Sequence, residues 1–282
     1  MIINKEEGII VLILKNCTKS FKKTKALNDF SCEFKHGIYG LLGPNGSGKT
    51  TMMRCICGLL SPEKGSIECD CENIGYLPQQ FGAMKSLTVY ETMRYFATLK
   101  KIPKSNQDNE IRYCIDLVNL SDKIKNKVGS LSGGMVRRLG IAQAIMGNTE
   151  IVLFDEPTAG LDPEERVRFK SLLRKIKNDK TIIISTHIVS DVKSICDEIV
   201  IINEGRNVVQ GTCSDITSIG NEKVFLLDEE YENNLEGNYY VKDRISKNNK
   251  NYIIVLSSNF IEQGVSINAD IEDGYLCALK DI

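Results

Sequence analysis

The sequence predicts an α/β fold: a mostly parallel sheet covered by helices, with a helical insertion and a small second unit at the C-terminal end. Three observations carry this. Short apolar runs alternate with glycine turns and helical stretches. A glycine-rich loop at residues 43–50 sits between a strand and a helix. After about residue 214 the texture changes, and asparagine and acidic residues become frequent.

Residues 9–14 form an apolar run that reads as a strand, and residues 26–34 alternate polar and apolar as a half-buried strand would. Residues 38–42 read as a buried strand running into the glycine loop. The helix expected over residues 50–60 is stopped by Gly58, Ser61 and Pro62. Residues 74–77 make a strand ending at Pro78. From about 84 to 146, apolar residues recur at helical spacing in 90–100, 110–120 and 134–146, which predicts the helical insertion. The α/β pattern then resumes. It gives a buried strand at 151–154, a helix at 164–177, a strand at 181–184, a helix at 188–196 and a strand at 199–202. A turn at 203–206 leads into 207–209. Residues 252–256 and 274–279 read as further short strands. The expected division is a main domain over 1–213, a linker over 214–220 and a small, β-rich accessory domain over 221–282.

Composition limits the function classes. The 282 residues are 42% hydrophobic and 26% charged, with a net charge of -1, as in an ordinary globular protein. Nothing in that balance argues for a nucleic-acid partner. Residues 221–282 hold 12 acidic and 6 basic residues, an asymmetry that suggests two units with different surroundings. The apolar run at 9–14 is far short of the roughly 20 residues a membrane helix needs. The first residues are acidic where a signal peptide is basic. The expectation is a cytoplasmic chain whose 10 cysteines are mainly reduced. Two C-x-C pairs, Cys55/Cys57 and Cys69/Cys71, invite a metal reading. Residues two apart on a helix do not face one another, and structural zinc spacing is usually wider, so zinc is disfavoured.

The loop Gly43-Pro44-Asn45-Gly46-Ser47-Gly48-Lys49-Thr50 fits G-x-x-x-x-G-K-[ST] in its required strand–helix context. Glycines let successive backbone N–H groups turn inward toward phosphate oxygens, and the helix start adds partial positive charge. Lys49 is placed to reach the β- and γ-phosphates of ATP, and the Thr50 hydroxyl to ligate Mg²⁺; Thr51 continues the site. The apolar strand at 151–154 delivers Asp155 and Glu156 to its C-terminal end, where ligands bind in such sheets. Asp155 is the expected magnesium contact. Glu156 is the expected base for the attacking water.

A second candidate cradle lies at Ser132, Gly133 and Gly134, at the start of another helix. One chain with two phosphate cradles and one nucleotide loop is explained economically if the second serves the nucleotide of another copy, in a head-to-tail dimer.

Together, the phosphate loop, Leu131-Ser132-Gly133-Gly134-Met135, the strand ending in Asp155-Glu156, and the downstream Asp162 and His187 resemble the ABC ATPases in order and spacing. The resemblance covers about residues 9–213 and implies a P-loop NTPase core that hydrolyses ATP. It also implies further roles. Phe21 matches the aromatic that stacks on adenine. Gln79 matches the glutamine that senses magnesium and couples to the membrane partner. Ser132, Gly133 and Gly134 match the signature that clasps the opposite ATP. Asp162 matches the aspartate at the subunit contact, and His187 the histidine at the γ-phosphate. Met135 departs from the commonest signature, which has glutamine there. With Arg137-Arg138-Leu139-Gly140 following, the segment looks like a bacterial exporter subgroup whose membrane subunits are separate chains. The expected partners are therefore a second ATPase subunit and a transmembrane permease, with the chain held peripherally on the inner face of the membrane. Ribosome-acting relatives usually carry two such domains per chain, and DNA-repair relatives carry a long coiled-coil insertion. This chain has one phosphate loop and no such insertion.

Overall fold

The structure, a computed structural model, describes residues 10–71, 73–178, 180–247 and 249–282. Its centre is a six-stranded sheet in the order β5-β6-β7-β3-β8-β9. The ranges are β3 Gly37–Leu42, β5 Ile74–Leu77, β6 Ile151–Asp155, β7 Thr181–Thr186, β8 Glu198–Asn203 and β9 Arg206–Gly211. Neighbours from β5 to β8 are parallel, and only β9 is antiparallel. Every residue of β6 and β7 is buried. Both faces are covered, which is why these strands read as unbroken apolar runs rather than as alternation.

One face is covered by the antiparallel sheet β2-β1-β4, formed by β1 Ile10–Phe21, β2 Thr24–Lys35 and β4 Lys64–Cys69. Phe30, Phe34, Met52, Met53 and Leu153 meet in the core between them; the two methionines come from α1, Lys49–Ile56. Residue 9 of the expected first strand lies outside the described residues. The strand runs on to Phe21, well past residue 14, through several register irregularities. β4 was not expected: Lys64-Gly65-Ser66 carries no apolar alternation, and the strand is an edge strand paired only with β1.

The insertion is helical, with α2 Val89–Leu99, α3 Lys104–Leu117 and α4 Gly133–Ile145. Thr88 and Glu91 form a reciprocal capping box at the start of α2. Val89, Met93, Ile111, Ile115, Leu139 and Phe154 share the core on the second face of the main sheet. Lys100 Nζ donates to the carbonyls of Gln143, Ala144 and Met146 and so satisfies the orphan end of α4. α5, Pro163–Ile176, lies against the same core through Phe169, Leu172 and Leu173. α6 is a single turn, Val189–Val192, shorter than the expected 188–196.

The C-terminal region holds a four-stranded sheet, β11-β12-β10-β13, from β10 Val224–Asp228, β11 Tyr239–Lys247, β12 Lys250–Ser257 and β13 Val265–Ser266. Two expectations change here. The stretch 214–220, read as a linker, is largely a helix, α7 Cys213–Ser218, with a capping box between Thr212 and Asp215. Residues 274–279, read as a strand, lie within a helix, α8 Ile271–Lys280. Asp270 caps it reciprocally with Asp273; Ile271 and Tyr275 are buried on one side, and Cys277 on another, in a cluster with Val224 and Leu256. α8 packs on α7 and on the main domain: Ile271 and Tyr275 share a cluster with Leu42, Val189, Ile201 and Ile216. The last helix therefore packs on the main core through one side and on the four-stranded sheet through the other, so the main core draws side chains from beyond residue 221. No helix among the described residues is long and apolar enough to cross a membrane.

Candidate functional site

The loop at residues 43–50 leaves the C-terminal end of β3 and turns into α1. Gly48 is the helix N-cap with φ of 113°, and a Cβ there would stand 2.2 Å from the Ala26 carbonyl, so only glycine fits. No side chain caps α1, which leaves its first N–H groups facing the loop. Lys49 is 6% exposed, and its Nζ donates to the carbonyls of Gly43 at 2.7 Å and Pro44 at 3.0 Å. Burial lowers the Lys49 pKa, and Glu156 and Asp155 oppose that shift. The Ser47 hydroxyl is buried without a hydrogen-bond partner, an unsatisfied donor inside a loop of the kind that cradles phosphate.

β6 and β7 are register neighbours that place Asp155 beside Ser185. Asp155 is fully buried. Its Oδ2 accepts from Thr50 Oγ1 at 2.8 Å and its Oδ1 from Ser185 Oγ at 2.6 Å. Thr50 and Asp155 supply hard oxygen donors of the type magnesium takes alongside nucleotide phosphates. Among the described residues no group of three or more His, Cys, Asp or Glu side chains is placed to hold a metal ion.

Glu156 follows in the left-handed region, with φ of 51°. Its N–H donates to the Ser185 hydroxyl at 2.9 Å and more weakly to the Ser185 carbonyl at 3.2 Å. His187 Nδ1 lies 3.1 Å from both carboxylate oxygens of Glu156. A cleft of about 400 Å³ opens over this arrangement; its walls include Asn45, Lys49, Thr51, Gln79, Asp155 and Glu156.

The other expected residues are placed as follows. Gly46 and Gly48 line the cleft with the loop, and Thr50 lines it between the loop and Asp155. Phe21 does not line it; the ring is 46% exposed at the end of β1, with Lys19 Nζ 5.9 Å from its centroid. Ser132, Gly133, Gly134 and Asp162 also stand outside the cleft. Ser132 is the N-cap of α4, its Oγ accepting from Met135 N at 3.3 Å. Ser132 and Gly133 are exposed, and nothing lies within 4 Å of a Cβ built on Gly133. Asp162 caps α5, accepting from Glu165 N at 2.8 Å.

Two contributors were not picked out from the sequence. Ser185 bridges Asp155 and Glu156. Arg137 spreads its guanidinium over the loops below the cleft. Nε donates to Pro157 O, Nη1 to Pro78 O and Gln79 O, and Nη2 to Asp155 O and Glu156 O, at 2.6–3.2 Å. The Arg137-Arg138 doublet two residues after the signature was the available signal.

Residues 27–159 match the family described as ABC transporter. The ABC transporter ATP-binding protein YxlF of Bacillus subtilis is 30% identical over 92% of this chain and 90% of its own length. The Nod factor export ATP-binding protein I of Burkholderia lata is 34% identical over 70% of this chain and 69% of its own. Among solved structures, the dimeric post-hydrolysis state of the ATP-binding cassette MJ0796, bound to ADP and phosphate, superposes with a TM-score of 0.65. It is 26% identical and covers 71% of this chain and 98% of that one. A buried lysine, a carboxylate and a glycine-rich loop brought to one sheet edge, together with these likenesses, lead to one conclusion: the chain belongs to the ABC transporter family as an ATP-binding subunit, an ATPase.

Proposed function

We propose that this subunit hydrolyses magnesium-bound ATP in a head-to-tail dimer and drives export through a separate permease subunit at the inner face of the membrane. The observation that carries the reading is the Asp155 carboxylate. It is shared between Thr50 and Ser185, with Glu156 as the next residue and His187 against it. Lys49 and the loop amides bind the phosphates. Thr50 and Asp155 would hold magnesium, with Gln79 at the cleft wall, and the ion would supply charge neutralisation at the phosphates. Glu156 takes a proton from the attacking water, and His187 steadies both Glu156 and the transferring group. Phe21 stacks on the base.

The dimer follows from the exposed signature. Ser132 and Gly133 are exposed and do not line their own cleft, and they serve the ATP of the other copy, with Gly134 and Asp162 at the contact. The dimeric cassette structure supports this arrangement. Export rests on the exporter-like run around Met135 and on the Nod factor relative; a relative named for methionine import matches as well.

Complementation tests the composite site. Lys49→Ala keeps an intact signature, and Ser132→Arg keeps an intact phosphate loop. Each alone should release phosphate at background rate, and an equimolar mixture should recover activity, because a mixed dimer rebuilds one complete site. A mixture as inactive as its components would contradict the head-to-tail dimer.

A further inference from the structure

Arg137 is a helix residue with five N–H groups, and all five have carbonyl partners. The five carbonyls belong to two segments. Pro78 and Gln79 follow β5 and carry a wall of the cleft. Asp155, Glu156 and Pro157 follow β6 and carry the carboxylates. Arg137 itself lies one and a half turns into α4, whose N-cap is Ser132. One side chain therefore joins the signature helix to both loops that face the nucleotide.

The arrangement has a particular consequence at Glu156. A non-glycine residue with φ of 51° is strained and persists only where its surroundings over-determine it. The carbonyls on both sides of that residue, and the one after it, accept from a single planar guanidinium. That fixes three successive peptide planes and with them the direction of the Glu156 side chain. Arg137 approaches carbonyl oxygens only; no bond to the Asp155 or Glu156 carboxylate and none to the residue 43–50 loop is formed.

We propose that Arg137 is a positioning residue for hydrolysis: it holds the turn that presents Glu156 and the segment carrying Gln79, and links both to movement of the signature helix. This rests on the assignment of Glu156 as the base. Binding and hydrolysis then separate. ATP affinity depends on the loop, Lys49 and Phe21, none of which Arg137 touches, whereas turnover depends on the angle of Glu156. A small misplacement of a catalytic group costs on the order of 100-fold. Charge alone does not perform this role. A lysine keeps the positive charge but offers three donors from one point and cannot span five carbonyls in two segments.

The test compares the parent, Glu156→Gln, Arg137→Lys and Arg137→Gln as full-length chains, with ATP binding by a fluorescent analogue, steady-state phosphate release and thermal unfolding. Both Arg137 variants should bind the analogue within about twofold of the parent and lose at least about tenfold in kcat, with Lys no better than Gln. Parental kcat in Arg137→Lys would overturn the proposal, because charge would then suffice. Loss of binding and of cooperative unfolding in both variants would overturn it too, making Arg137 a general structural pin. Parental turnover in Glu156→Gln would instead refute the base assignment, and the positioning proposal with it, and that outcome is read independently of the Arg137 variants.

Discussion

Gly274, in the middle of α8, crosses α7 so closely that a Cβ on it would stand 1.8 Å from the Ile216 carbonyl oxygen. The contact anchors a helix whose Ile271 and Tyr275 complete a cluster with Leu42, Val189 and Ile201 of the main domain. Gly274→Ala should therefore lower stability by about 1–3 kcal/mol through overpacking, seen as a drop in Tm. ATP affinity should be unchanged in the folded protein. A chain ending at residue 220 should unfold less cooperatively and at lower temperature than the parent, because Leu42 and Ile201 lose the side chains that cover them.

Lys49→Ala should nearly abolish ATP binding. The ammonium is buried among carbonyls beside two carboxylates, and no other cationic side chain among the described residues lines the cleft. Removal leaves two acidic groups facing the phosphates with no lysine beside them. Titration with a fluorescent ATP analogue checks this; parental affinity would place the phosphates elsewhere.

Phe21→Ala should weaken nucleotide binding by about 1–3 kcal/mol, the range for loss of base stacking on an aromatic ring. ATP and GTP should suffer alike, because stacking reads a face of the base and not its edge. The ring is half-exposed, with Lys19 over it, so the substitution should leave Tm close to the parent. An unchanged dissociation constant would move stacking to another residue.

What was legible in the sequence divides by physical cause. The run at 151–154 was readable because a buried parallel strand leaves a continuous apolar segment; β6 extends it by only one residue, Asp155. The connection from β3 to α1 was readable because the glycines and lysine of residues 43–50 have fixed spacing. Residues 274–279 were read as a short strand, whereas Gly274 lies in α8 and marks a close helix crossing that only the fold reveals. β4 was missed because a polar edge strand carries no alternation. Arg137 lies in a helix of ordinary pattern, and no spacing rule reports that a guanidinium folds across two distant loops. Ser185 became visible only once β6 and β7 were seen to be register neighbours.

The central claim is that Glu156 starts hydrolysis of an ATP shared between two copies. Glutamine at this position keeps the size and hydrogen bonding of glutamate and cannot take the proton. The most direct measurement is phosphate release by Glu156→Gln with ATP and magnesium, run beside size-exclusion chromatography. The account predicts background release, a monomer without nucleotide and a dimer with ATP, and that dimer should be lost when Ser132→Arg is added. Phosphate release by Glu156→Gln at the parental rate would contradict it.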